Sequence, residues 1–280
     1  MTNTYKLNNG TKIPSIGFGT WQTADGDTAK HSVIEAVKAG YRHIDTAAIY
    51  RNEEGVGEGV KECGISREEI FLTTKVWNKA RGYDLTMSSF ERSIEKLKVD
   101  YIDLLLIHWP ANAKQYANWA EINASTWKAM EELYEQGVLK AIGVSNFLIH
   151  HLESLFTKAN IKPAVNQIEF HPGFMQQEVV SFCNDEDIII EAWSPLGTGK
   201  LLQNEILKDI AVRNNSTVAQ VCIKWALQHG TLPLPKSVTP SRIKENISLE
   251  HFSLSQEEMA LIDALPFIGG SGLNPDTVDF

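Results

Sequence analysis

Short apolar runs alternate with amphipathic stretches along most of the chain. The first segment reads as a hairpin: Tyr5-Lys6-Leu7, a turn at Asn8-Asn9-Gly10, then Thr11-Lys12-Ile13. An Asn-Gly pair between short apolar-alternating runs is a strong turn signal. Strands are then predicted at 16–19, 41–44, 70–76, 102–107, 141–144, 164–168, 188–192 and 231–234. Helices are predicted between or after them at 28–39, 54–63, 85–97, 126–136, 149–156, 177–183, 205–213, 218–228 and 243–247, with one more at 256–265. Phe90, Ile94 and Leu97 show the helical period, with apolar residues on one face. Gly40, Gly64 and Gly137 follow three of these helices, where a left-handed cap is expected. The tail from Ile268 to Phe280 is rich in Gly and Asp and reads as loose.

The pattern amounts to eight strand–helix units of about 35 residues each, which suits βαβ repeats. A closed eight-stranded α/β barrel uses about 250 residues, so a single domain spanning 1–280 is expected. An open doubly wound sheet is the competing architecture. The absence of a domain break favours the barrel. So does the failure of the phosphate fingerprints: Val60 stands where G-x-G-x-x-G after Gly55 needs glycine, and Ser194 spoils a Walker loop ending at Lys200.

Composition narrows the function classes. Lys and Arg total 26 against 35 Asp and Glu, a net charge of −9. That balance argues against nucleic acid or an anionic membrane as a partner, while leaving room for a local basic pocket. Cys63, Cys183 and Cys222 are odd in number and far apart, so neither a disulfide scaffold nor a cysteine metal site is expected. The polar N-terminus shows no leader and no apolar run is long enough to span a bilayer, so a cytoplasmic protein is expected.

Barrel chemistry sits at the C-terminal ends of the strands. Asp45, Lys75, His108, Ser145, Asn146, Gln167, Trp193, Ser194, Lys236 and Ser237 all fall there, and Tyr50 lies five residues past Asp45. Ionisable groups at the ends of successive strands are costly unless they pair with each other or with a ligand. Their chemistry fits together. A phenol titrates near ten, and a neighbouring Lys75 ammonium lowers that value. Asp45 holds the lysine, and His108 orients a substrate oxygen. This is equipment for protonating an oxyanion while a hydride arrives at carbon. His43, two residues before Asp45, is set aside on the expectation that it faces the other side of its strand. His150-His151 is expected to be exposed rather than metal-binding.

Taken together these motifs resemble the aldo-keto reductases, in particular the short bacterial members that reduce glyoxals and diketogluconate. The matching blocks run from Gly17-Phe18-Gly19-Thr20-Trp21 and Gly40-Tyr41-Arg42-His43-Ile44-Asp45-Thr46-Ala47 through Thr74-Lys75-Val76-Trp77 to Leu106-Ile107-His108-Trp109-Pro110. They continue with Gly143-Val144-Ser145-Asn146-Phe147, Trp193-Ser194-Pro195-Leu196 and Pro235-Lys236-Ser237. The resemblance implies a (β/α)8 barrel with the hairpin capping its bottom, and NADPH-dependent, metal-free reduction of aldehydes and ketones by a monomer. It implies a tetrad of Asp45, Tyr50, Lys75 and His108, with Tyr50 as proton donor. It assigns cofactor binding to Thr20, Trp21, Asp45, Ser145, Asn146, Gln167, Trp193, Ser194, Leu196, Lys236, Ser237, Val238, Arg242, Glu245 and Asn246. Trp21, Tyr50, Trp77, His108 and Trp109 are implied around a small carbonyl substrate such as methylglyoxal. The short C-terminus implies an open site of broad selectivity. Trp193 departs from the Tyr or Phe common at its position, but still offers a face for stacking. Two alternatives remain at this level: a cofactor-binding protein without enzymatic activity, like channel subunits or crystallins on this fold, and a metal-dependent hydrolase using Asp45, His108 and His171.

Overall fold

The structure is a computed structural model describing residues 3–267 and 270–280. Strands β1 (Thr4–Lys6) and β2 (Lys12–Pro14) form an antiparallel hairpin. Eight further strands follow: β3 (Phe18–Gly19), β4 (His43–Asp45), β5 (Phe71–Val76), β6 (Ile102–Ile107), β7 (Leu139–Ser145), β8 (Val165–Glu169), β9 (Ile189–Trp193) and β10 (Leu232–Pro233). All are parallel and pair in chain order. The ring closes between its ends, where Gly17 N and Gly19 N donate to the carbonyls of Pro233 and Pro235 at 3.0 Å each. The prolines lack an N–H but still supply acceptors. Gly17 is obligatory at this seam: a Cβ there would sit 2.5 Å from Leu234 Cδ2 and 2.6 Å from His43 Nδ1.

The helices α1 (Asp27–Ala39), α2 (Glu53–Glu62), α3 (Tyr83–Leu97), α4 (Trp119–Glu135), α5 (Ile149–Phe156) and α6 (Gln177–Asp185) cross between strands. Next come α7 (Glu205–Arg213), α8 (Val218–Gln228), α9 (Pro240–Ile247) and α10 (Gln256–Asp263). Their apolar faces and the outward faces of the strands form one continuous core, with Trp127, Trp225 and Phe147 among its largest buried members. A second, smaller core fills the barrel bottom. There Leu7 and Ile13 from the hairpin pack on Phe71, Leu104, Leu106, Val165 and Leu232. The hairpin thus plugs the end away from the strand termini that carry the chemistry. Among the described residues no helix is long and apolar enough to cross a membrane.

Every element expected from the sequence is present; 102–107, 149–156, 205–213 and 218–228 match residue for residue, and the ends of the others shift. The largest shift is in α4, which starts at Trp119 rather than residue 126. Asn123 and Ser125 are weak helix formers, but Asn123 exchanges two hydrogen bonds with the Ala111 backbone, at 2.7 and 3.1 Å. Tertiary bonds hold a turn that local propensity does not announce.

Two expectations need correction. Residues two apart on a strand share a face, so His43 points into the barrel with Asp45. It is fully buried and its Nε2 lies 2.9 Å from Thr73 Oγ1. The tail is not loose either. Ser271 donates from N and Oγ to Glu169, at 2.8 and 2.7 Å. Asn112 Nδ2 donates to the carbonyls of Pro275 and Val278, and Lys114 Nζ to that of Thr277. The tail crosses the barrel mouth and ends with Phe280 stacked on Trp77 at 5.5 Å. Its Ile268 and Gly269 lie outside the described residues.

Candidate active site

The ends of β4, β5 and β6 bring three ionisable groups to one point. Asp45 closes β4, Lys75 is one residue from the end of β5, and His108 follows β6. A 3₁₀ turn over Ala48–Tyr50 carries the phenol back toward them. Lys75 Nζ donates to Asp45 Oδ1 at 2.7 Å, to the Thr46 carbonyl at 2.9 Å and to Tyr50 OH at 3.3 Å. All three ammonium hydrogens are therefore committed. The Tyr50 and His108 rings meet edge to face at 5.6 Å.

Electrostatics follow from this enclosure. Burial works against the Lys75 ammonium, but Asp45 and Tyr50 outweigh it and hold its pKa above the usual value. The expectation for Tyr50 needs correction. Burial raises its pKa more than Lys75 lowers it, so the free-enzyme phenol stays protonated at neutral pH. His108 is pushed well below 6.5 by burial and by Lys75, and its ring is neutral at neutral pH. Its Nδ1 is buried with no partner among the described residues. A buried orphan N–H costs more than an orphan lone pair, which places the ring proton on Nε2.

These groups line a cavity of 810 Å³. Asp45, Tyr50 and His108 form its floor, with Trp21, Trp77, Trp109 and Phe280 along one side. Ser145, Asn146, Gln167, Trp193, Ser194 and Leu196 continue it over β7, β8 and β9. Lys236, Ser237, Arg242, Glu245 and Asn246 close the far end. Trp193 Nε1 donates to Asn146 Oδ1 at 2.8 Å, which fixes the plane of the indole. A Tyr or Phe at this position lacks that ring donor, so the departure at Trp193 adds an anchor. Asn146 Nδ2 in turn donates to the His108 carbonyl and to Ser145 Oγ, both at 3.0 Å.

The donor set fits a dinucleotide carrying an extra phosphate. A flat aromatic face, amide groups and hydroxyls lie at the catalytic end. Lys236 and Arg242 stand together at the other end of an acidic protein. Lysine supplies a point charge and arginine a planar fork of donors.

Three of the expected residues do not line the cavity. Lys75 lies beneath its floor, fully buried. Thr20 is buried, with Oγ1 donating to the Asp45 carbonyl at 2.9 Å, and so holds β3 against β4. Val238 borders a smaller surface cleft beside α1 with Asp27 and His31. The hydrolase residues do not assemble, since His171 is buried 3.5 Å from Glu169 and outside the cavity. Among the described residues, the metal-capable group is instead His150, His151 and Asp276. Leu148 N–H donates to His151 Nδ1, so that neutral ring turns its Nε2–H, not a lone pair, toward Asp276. His151 is buried, contrary to the expectation of exposure.

Sequence reasoning missed several lining or supporting residues. Phe280 was hidden in a tail that looked unstructured. Glu191 sat inside an apolar strand run, and a charge within such a run was the available signal. The turn Gly197–Gln203 brings Thr198, Gly199 and Leu202 to the cavity wall. No periodic pattern marks it, because its Thr198 and Gly199 are left-handed, at φ 55° and 92°.

The aldo/keto reductase family matches residues 15–266 of this chain. The chain belongs to that family. It is 50% identical to glyoxal reductase of Bacillus subtilis (strain 168) over 280 residues, covering 100% of this chain and 99% of the other. It is 41% identical to methylglyoxal reductase DkgA of Yersinia pestis over 273 residues, covering 97% and 95%. Among solved structures, a Gox0644 point mutant in complex with NADPH superposes with a TM-score of 0.93 at 41% identity, covering 100% of each chain. An aldo-keto reductase from a Medee basin deep-sea metagenome gives the same score and identity, covering 99% of this chain and 100% of that one. These neighbours are (β/α)8 barrels, as is this aldo-keto reductase, and the family's members are NADP-dependent oxidoreductases.

Proposed function

We propose that this aldo-keto reductase reduces small α-oxoaldehydes, methylglyoxal among them, to alcohols with NADPH, using Tyr50 as proton donor. One observation carries the role of Tyr50. Lys75 Nζ bonds at once to Asp45 and to Tyr50 OH, and Tyr50 and His108 face the same cavity. The relatives named for glyoxal and methylglyoxal support the substrate class.

When bound, NADPH supplies a hydride to the carbonyl carbon. The chain's own residues manage the oxygen. His108 Nε2–H and Tyr50 OH both reach the cavity floor, where they hold the carbonyl oxygen and fix its orientation. As that oxygen gains negative charge it becomes a much stronger base than a phenolate, and Tyr50 transfers its proton. The phenolate left behind lies 3.3 Å from the Lys75 ammonium, which Asp45 holds in place. Reprotonation of Tyr50 from solvent completes the cycle. The neutral His108 donates a hydrogen bond without competing as the acid.

Lys236, Ser237 and Arg242 take the 2′-phosphate of the cofactor, so NADPH is preferred over NADH. Trp193 stacks on the nicotinamide, and Ser145, Asn146 and Gln167 bind its carboxamide. NADPH consumption with glyoxal, methylglyoxal, an aldose and a keto ester tests this reading. Glyoxals are expected to give the highest kcat/KM. NADPH binding without turnover of any carbonyl would instead support the non-enzymatic alternative.

A further inference from the structure

The catalytic network does not stop at Asp45. Glu191 lies on β9, fully enclosed in the barrel, and is the register partner of Gln167 on β8. Gln167 Nε2 donates to Glu191 Oε2 at 2.7 Å and to Asp45 Oδ2 at 2.9 Å, so both amide hydrogens go to carboxyl groups. Both Gln167 side-chain hydrogen bonds seen among the described residues are made by Nε2, and Gln167 lines the cavity, so its amide oxygen is the end left for a ligand there. The two ends of a side-chain amide have nearly the same shape, so packing alone does not choose between them. Two acceptors on one side do.

We propose that Glu191 is a positioning residue, which locks the Gln167 amide with its carbonyl toward the cofactor and braces Asp45 from the far side of the barrel. This rests on the reading of the cavity as the nicotinamide site. Gln167 then presents an acceptor to a carboxamide N–H, and Asp45 cannot swing away from Lys75 without breaking the bond to Gln167.

The charge state of Glu191 suits that role. The titratable groups facing it are Asp45 and His43 from β4 and Lys75 from β5, while its flanking strand partners Gln167 and Leu232 do not titrate. As an anion it would set a second negative charge beside Asp45, with Lys75 alone to balance both. Burial and Asp45 instead push its pKa up to about 8. His43, whose Nε2 is 3.7 Å from Glu191 Oε1, is held neutral by burial and Lys75, its pKa pushed down to about 3. Glu191 Oε1 has no hydrogen-bond partner among the described residues, which a neutral carboxyl tolerates better than a carboxylate.

Glu191→Leu and Glu191→Gln in the full chain separate positioning from packing. Leucine fills the space without an acceptor; glutamine keeps one for Gln167. Glu191→Leu is expected to raise the NADPH dissociation constant, read by tryptophan fluorescence quenching, about tenfold. It should also lower kcat more than it changes the carbonyl KM. Glu191→Gln should restore most of both losses. Above about 8, wild-type NADPH affinity should fall as Glu191 ionises, and Glu191→Gln should lack that limb.

The ligand-free protein gives a separate readout. Folded Glu191 holds its proton more tightly than the unfolded chain does. Its contribution to stability therefore declines as pH rises from about 4.5 to about 8 and is constant above. The Tm advantage of Glu191→Gln over wild type should widen across that window and then stop widening. This comparison stands even if Glu191→Leu fails to fold. A leucine variant equal to wild type, a glutamine variant as impaired as leucine, or a Tm difference independent of pH overturns the proposal while leaving the reductase reading intact. A wild type that binds no NADPH overturns both.

Discussion

At the bottom of the barrel, Leu7 and Ile13 descend from the hairpin into a ring of Phe71, Leu104, Val165 and Leu232. At the top, the same strands end in Asp45, Lys75, His108 and Gln167 under an 810 Å³ cavity. Both ends are enclosed, but by different physics. The bottom gains free energy from apolar burial alone, in proportion to area. The top encloses charge, which is tolerable only because Lys75 is bonded on every side and Glu191 and His43 stay neutral. The first end supplies stability and the second holds reactive groups in place.

This contrast predicts that substitutions at the two ends separate. The largest expected effect is at the top. Lys75→Met removes the ammonium that stabilises the phenolate, and kcat for methylglyoxal should fall by about 10²- to 10⁴-fold, the usual weight of proton transfer in catalysis. A drop under tenfold would mean that Tyr50 does not depend on Lys75. Next is the bottom: Ile13→Ala should cost about 2–5 kcal/mol in denaturant unfolding, with kcat unchanged. A change in kcat there would show that the two ends are coupled.

Smaller effects test the walls of the cavity. Lys236→Ala with Arg242→Ala should weaken NADPH by about 10- to 100-fold and leave NADH nearly untouched. Equal loss for both cofactors would remove these residues from the phosphate site. Phe280→Ala should shift the KM for bulky aldehydes by about two- to tenfold without altering NADPH affinity. The smallest effect concerns pH. Because His108 is depressed well below 6.5, kcat should show no descending limb as pH falls through that value. A limb there would mean that the imidazole is not depressed and that its protonation stops the reaction.

The two ends also differ in how legibly the sequence records them. Of the proposed tetrad, Asp45, Lys75 and His108 were readable from strand ends, as His108 follows Leu104-Leu105-Leu106-Ile107, and Tyr50 from its place five residues past Asp45. The hairpin was readable from Asn9-Gly10. Phe280 was not, since its tail folds through side-chain bonds from Asn112, Lys114 and Glu169, all distant in sequence. The site is accordingly more enclosed than a short C-terminus suggested. His43 was misplaced by an error of strand period rather than by lack of signal. The direction of the Tyr50 pKa depends on burial, which a sequence does not state, whereas the neighbouring ammonium could be inferred.

The central claim is that Tyr50 gives the proton. Tyr50→Phe tests it directly, with methylglyoxal turnover and NADPH affinity measured in the same preparation. The account predicts loss of nearly all turnover, with NADPH bound as tightly as by wild type. Turnover near the wild-type rate would contradict it and pass the role of acid to another group in the cavity.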